Sequence, residues 1–373
     1  MSLEEIPFGH TAWSAPYRSV ASHVLSSSVV APMSLHELAV LTDVDTTEFI
    51  NPTTVFDYGP TGGSVELREA VVSGMPGLIP DNVAISSGAG DALATVARLL
   101  CVSDRHVIVS LPSHESVVSI ARASGVDVTF VPPPLSVDDI LPHIRPNTAA
   151  AFLSSPQTPT GQVVPAESLT RLAQELARHG GLLIVDEVFR GVPMGVPAVP
   201  LPVASLAPNG VSIGSLSKVH GLPGLRLGWV AGPTLLVDDV RSMQRWTSRM
   251  PSTTSELIAI LALRNADALL GRARSLIYDS FAEFAALVDH EPGLVDLCLP
   301  DGGTTAFPAI HVPNADAWCN SVAEEYGLLL APGGICFGMP GRFRINLGLR
   351  PEVRSAAFPI LARALAHARQ LQT

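Results

Sequence analysis

The chain has 373 residues, 47% of them hydrophobic and 15% charged, and its 34 acidic and 23 basic side chains give a formal charge of -11. That length builds a large core shared by more than one unit, and the acid excess without a basic run excludes an electrostatic footing for nucleic acid. No apolar run reaches the length of a spanning helix, the N-terminus lacks the basic and apolar blocks of a signal peptide, and Cys101, Cys298, Cys319 and Cys336 show no metal-ligand spacing.

The expectation is therefore a cytoplasmic protein with buried free thiols, no bound metal and no membrane partner. The shortage of charge further predicts that surface is buried between subunits. The first 45 residues are mixed and Ser-rich and read as an N-terminal arm that forms part of a small domain. Next, an apolar strand leads into Ser86-Ser87-Gly88-Ala89-Gly90-Asp91 and a helix. Residues 106–111 read as a buried strand followed by a helix over 116–122, and residues 149–153 as another strand. Leu169, Leu172, Ala173 and Leu176 then recur at helical spacing before a strand over 181–186. Such β-α-β alternation, with strands apolar on both faces, predicts an α/β fold with a mostly parallel sheet covered by helices. Ligands of such sheets sit beyond the carboxyl ends of the strands. From about residue 275 the pattern changes to helices and short strands and ends in an alanine-rich helix. The predicted units are 1–45, a large domain over 46–275 and a small α+β domain over 276–373.

The most informative stretch is Ser215-Leu216-Ser217-Lys218-Val219-His220-Gly221-Leu222-Pro223-Gly224-Leu225-Arg226. Its turn gathers a hydroxyl, an amine and a guanidinium around one point. Lysine condenses with a carbonyl when a neighbouring cation or desolvation lowers its pKa, and arginine offers a flat fork of donors to a phosphate. The set suits an aldehyde that carries a phosphate, pyridoxal 5′-phosphate (PLP). Here the chain resembles the class I/II aminotransferase family, fold type I of the PLP-dependent transferases. The resemblance implies that Lys218 forms the Schiff base and that Ser215 and Arg226 hold the phosphate.

Other motifs match the same family. Gly88, Ala89 and Gly90 correspond to its phosphate-binding turn, where small residues and the free N–H groups of a helix start approach an anion. Asp186 corresponds to the aspartate that keeps the pyridine nitrogen protonated and makes the ring an electron sink. His114 stands where the family stacks an aromatic ring on the cofactor. Tyr58, in Tyr58-Gly59-Pro60-Thr61-Gly62-Gly63, corresponds to a tyrosine that reaches the phosphate bound by the other subunit, which implies a homodimer. In Gly341-Arg342-Phe343-Arg344, strand alternation puts both arginines on one face. The family match selects Arg344 for the substrate α-carboxylate.

Two positions depart from the family. Thr158, in Gln157-Thr158-Pro159-Thr160-Gly161, replaces an asparagine, and Phe189 replaces a tyrosine. Both usual side chains donate to the phenolic oxygen of the cofactor. Their loss predicts a Schiff base that stays protonated well above neutral pH.

Phe189, Ser26-Ser27-Ser28-Val29 and Gly302-Gly303-Thr304-Thr305-Ala306-Phe307-Pro308 also resemble capreomycidine synthase-like enzymes, a group of this fold that cyclises a hydroxylated arginine. The resemblances together imply an enzyme acting on a small-molecule amino acid through an external aldimine and a Cα-deprotonated quinonoid. They lean to elimination, replacement or cyclisation, with an ordinary aminotransferase and a non-catalytic PLP sensor as the alternatives. A guanidinium substrate would call for carboxylates near the arm, where Glu4, Glu5 and Glu37 are available.

Overall fold

A computed structural model describes residues 9–17, 19–45, 47 and 50–370. The arm contributes a short strand, β1 (His23–Val24). It is followed by β2 (Val83–Ser86), β3 (His106–Ser110), β4 (Asp127–Val131), β5 (Thr148–Ser154), β6 (Leu182–Asp186), β7 (Gly210–Ser215) and β8 (Gly228–Ala231). These last seven strands form one sheet in the order β2-β8-β7-β6-β5-β3-β4. Only β8 runs against the others, pairing antiparallel with β2 and β7.

The strands are apolar because both sheet faces are covered. Val107 and Val109 of β3 enter one core with Phe152 and Ile184, while Ile108 enters another with Leu153, Leu183 and Val185. The helices Ala89–Leu100 and Glu115–Ala123 close the first face through Leu93, Val96, Val117 and Val118. The helix Ala166–Ala177 closes the second through Leu169, Leu172, Ala173 and Leu176, which follow its 3.6-residue period. Each fully buried Leu or Val contributes about 1.5–3 kcal/mol.

Past the sheet, β9 (Val295–Asp296) pairs with β11 (Ala309–Ile310). β14 (Phe343–Asn346) lies between β10 (Thr305–Ala306) and β13 (Ala331–Pro332), and β1 runs parallel to β12 (Leu328–Leu329). The arm thus joins the C-terminal layer rather than the large sheet.

The helix Ala266–Asp289 runs across residues 275 and 276, where the sequence pattern was divided. It buries Leu269 in the core beside β2 and β8, and Ala273, Ile277, Phe284 and Val288 in the C-terminal core. Cys101, Cys319 and Cys336 are buried but Cys298 is exposed. This corrects the expectation of buried thiols throughout: Cys298 lies in the irregular stretch between β9 and β10, where no strand or helix turns it inward. Among the described residues no helix is long and apolar enough to cross a membrane.

Candidate active site

The carboxyl ends of the parallel strands open on one cavity of about 250 Å³, whose other wall is supplied by the arm and the C-terminal layer. β2 leads into Gly88, β3 into His114, β5 into Thr158, β6 ends in Asp186 and leads into Phe189, and β7 leads into Lys218. Five separate stretches of sequence therefore meet because five strands point the same way.

Lys218 is half-buried on the cavity wall. Its Nζ donates to Ser28 Oγ at 3.0 Å and lies 5.8 Å from the Phe189 ring centroid. Burial, then the charges of Arg344 and Arg226, lower its pKa to about 8 against the opposing pull of Asp186. The amine is therefore far easier to deprotonate than an exposed lysine.

Asp186 accepts the Val188 N–H at 3.2 Å, and burial raises its pKa while His114, that bond and Lys218 oppose the rise. A carboxylate desolvated in this way is stabilised by a cation placed against it.

Gly88 sits at φ +88, and a Cβ there would come within 2.5 Å of Arg226 Nη2. Only a glycine leaves the guanidinium beside the first N–H groups of the helix Ala89–Leu100. Arg226 itself adopts φ 49, a conformation costing a side chain about 1–2 kcal/mol. It donates to Pro223 O at 3.2 Å, Ser217 Oγ at 3.5 Å and Ser87 O at 3.5 Å. Gly90 packs under His114, whose Cε1 would be 3.3 Å from a Cβ at that glycine. The His114 ring lines the cavity, with Nδ1 held by Ser116 Oγ at 2.9 Å.

At the other end, Arg344 of β14 is buried and faces the cavity. It donates to Ser26 O at 2.6 Å and Thr158 Oγ1 at 3.3 Å, and its guanidinium lies 4.8 Å from the centre of the Phe337 ring. Its Nε has no partner among the described residues, and burial lowers its pKa to about 10. The exposed Arg342 donates to Phe307 O at 3.1 Å and does not line the cavity, so the tertiary structure separates two arginines that alternation left equivalent.

Gly88, Ala89, Gly90 and Arg226 flank this cavity without lining it, and Tyr58 and Ser215 lie apart from it in the single chain. Tyr58 is 74% exposed, with Arg249 stacked 4.3 Å from its ring centroid. Ser215 is buried, accepts the Ser217 N–H at 3.3 Å and lines a separate cavity of about 30 Å³ with Glu187, His220 and Trp229. Ser217, not singled out in the sequence, supplies the hydroxyl nearest Arg226. Ser28 was quoted only within a motif, and nothing in local sequence tells that its hydroxyl reaches a lysine 190 residues away. Thr304 supports it by donating to Ser28 O at 2.9 Å.

Glu37 is already engaged. Its carboxylate accepts two hydrogen bonds from Arg350 at 2.6 and 3.0 Å and one from Ser34 N–H, and Arg350 chiefly holds its pKa down to about 2. It caps a helix and does not line the cavity. Glu4 and Glu5 lie outside the described residues.

A buried amine, a carboxylate short of a cation and a glycine-lined cradle beside Arg226 fit an aldehyde with a cationic ring nitrogen and a phosphate. The unpartnered Arg344 Nε and the unpartnered Ser154 hydroxyl leave further polar capacity beside the same cavity.

The family model for aminotransferase class I and II matches residues 17–358. The chain belongs to this family. It is a fold-type-I enzyme, and its cofactor is PLP. Capreomycidine synthase from Streptomyces vinaceus is 29% identical over 329 residues, covering 84% of this chain and 82% of that protein. An aspartate aminotransferase from Geobacillus stearothermophilus is 27% identical over 319 residues, covering 78% of each. Among solved structures, a PLP-dependent aminotransferase from Streptococcus suis superimposes with a TM-score of 0.91 at 24% identity, covering 98% of this chain and 99% of that one. The PLP-dependent cyclase OrfR does so with a TM-score of 0.86 at 26% identity, covering 96% of each.

Proposed function

We propose that this enzyme acts on a free α-amino acid and that its reaction ends in side-chain elimination, replacement or cyclisation rather than transfer of the amino group. When bound, PLP supplies an aldehyde for the amine and a ring that takes up the electrons of a deprotonated carbon. Lys218 would hold the cofactor through its amine and, once that amine is free, would serve as the base for the substrate's Cα proton. Asp186 keeps a proton on the ring nitrogen. Gly88, Ala89, Gly90 and Arg226 would hold the phosphate, with the Ser217 hydroxyl beside Arg226 in place of Ser215, which faces the separate cavity, and His114 would cover the ring. Arg344 takes the α-carboxylate and so fixes which bond at Cα faces the base. Thr158 and Phe189 line the same cavity and would stand beside the cofactor there.

The observation that carries the choice of reaction is Phe189. Transamination needs Lys218 to move a proton from Cα to the former aldehyde carbon. The Phe189 ring centroid lies 5.8 Å from the Lys218 amine, and its phenyl ring has no hydroxyl to share a proton. The other phenolic-side residue, Thr158, lies at the carboxylate end, 3.3 Å from Arg344 Nη1. The likeness to capreomycidine synthase and to the cyclase OrfR supports this choice.

Amino-group exchange with a 2-oxo acid is the second reading. It is favoured by the likeness to an aspartate aminotransferase and by a complete Lys218, Asp186 and Arg226 set. A homodimer is part of the proposal. Phe56, Tyr58 and Trp246 are 71%, 74% and 88% exposed, an apolar surface suited to a second subunit.

The test is mass spectrometry of cofactor and products after anaerobic incubation of the PLP-loaded enzyme with an amino-acid panel and no 2-oxo acid. The proposal expects unchanged PLP and many equivalents of product. Pyridoxamine phosphate with one equivalent of keto acid would overturn it in favour of the second reading.

A further inference from the structure

The charged side chains of the cavity do not balance in the way a dicarboxylic substrate would need. Apart from the imidazoles of His10 and His114, the lining carries Lys218, Arg344, Asp186 and Glu115. Lys218 and Asp186 act on each other at the cofactor end. Arg344 waits for a carboxylate, and Arg342 points elsewhere. Glu115, the first residue of the helix Glu115–Ala123, remains half-buried on the cavity wall with no ion pair and no side-chain hydrogen bond among the described residues. Its position is on the Arg344 side, because both groups act electrostatically on the Cys336 thiol, which burial chiefly raises to about 12. Cys336 and Phe337 line the same cavity, and the Phe337 ring packs against Arg344.

We infer that Glu115 determines substrate specificity by receiving a positively charged distal nitrogen, an ammonium or guanidinium, of an α-amino acid anchored on Arg344. A carboxylate beside a cavity is stabilised by such a cation through charge-assisted hydrogen bonds, and it repels a second carboxylate. The inference rests on the proposal that the cavity takes a free α-amino acid at Arg344, and it adds the side-chain class.

The test titrates the PLP-loaded enzyme with L-arginine and its uncharged analogue L-citrulline, and with L-lysine and L-norleucine, following the cofactor absorbance to obtain Kd. The native enzyme should prefer each cationic member by about tenfold or more, as one charge-assisted hydrogen bond provides, and should bind L-glutamate more weakly than L-citrulline. Glu115→Gln should bring both ratios to within about twofold of unity by weakening the cationic members alone, while Glu115→Asp keeps part of the preference. Unaltered ratios in Glu115→Gln, with all four ligands still binding, would overturn the role of Glu115 and leave the amino-acid site intact. Absorbance that no amino acid changes in the native enzyme would overturn the site itself, and this inference with it.

Discussion

At the cofactor end of the cavity, Gly88, His114, Asp186 and Lys218 stand within a few residues of a strand's carboxyl end and Arg226 just before β8, so one sheet fixes them all. At the substrate end, Arg344 of β14 meets Ser26 of the arm and Thr158 of the large domain, partners 318 and 186 residues away. The first end depends on local motifs held by a buried sheet, while the second exists only where three distant segments close on one another. Chemistry that must be exact is placed on the rigid sheet. Selection of a side chain is left to the junction, where a few substitutions alter the lining without touching the sheet.

The largest effect belongs to the cofactor end. Lys218→Ala should lower turnover by about 10⁴-fold, the upper part of what a positioned base supplies, with an unchanged circular dichroism spectrum. Turnover within tenfold of the native enzyme would break the contrast by removing the sheet end from catalysis.

A pair of substitutions sharpens the substrate end. Arg344→Lys should cost about 10–100-fold in kcat/KM, because a lysine cannot reproduce the fork of donors at a desolvated site. Arg342→Lys should cost about twofold or less, as an exposed change outside the cavity. Equal losses in steady-state kinetics would show that the junction does not discriminate between them.

The smallest effect tests burial behind the Lys218 loop. There burial raises Glu187 from its ordinary 4.5 to about 7 and lowers His220 from 6.5 to about 4. Protonated Glu187 contributes stability that is full below 4.5 and lost as pH rises through 7, whereas neutral His220 contributes stability that is full above 6.5 and lost as pH falls through 4. Between 4.5 and 6.5 the two slopes oppose each other. Glu187→Gln removes one of them, so acidification across that window should lower Tm by about 2 °C or more beyond the native change. Parallel Tm curves for the two proteins would show that these groups are not titrating in opposition.

Much of the large domain was legible in sequence because its signals are local. Runs apolar on both faces gave buried parallel strands, the 3.6-residue period of Leu169, Leu172, Ala173 and Leu176 gave a covering helix, and residues just past the strands gave the Lys218, Asp186 and Gly88 motifs. The C-terminal part was harder to divide. The apolar spacing of the helix Ala266–Asp289 continues unbroken past residue 275 while its buried face changes from one core to another.

The sequence by itself determined the α/β alternation through the middle of the chain, the family and the cofactor, because each is carried by contiguous residues with their own periodicity or spacing. Tertiary structure alone decided that Ser28 meets Lys218, that Glu37 is consumed by Arg350 and that Glu115 has no ion pair among the described residues. Those facts depend on contacts between residues far apart in the chain, and such contacts are chosen by how the arm, the sheet and the C-terminal layer pack, which no local pattern records.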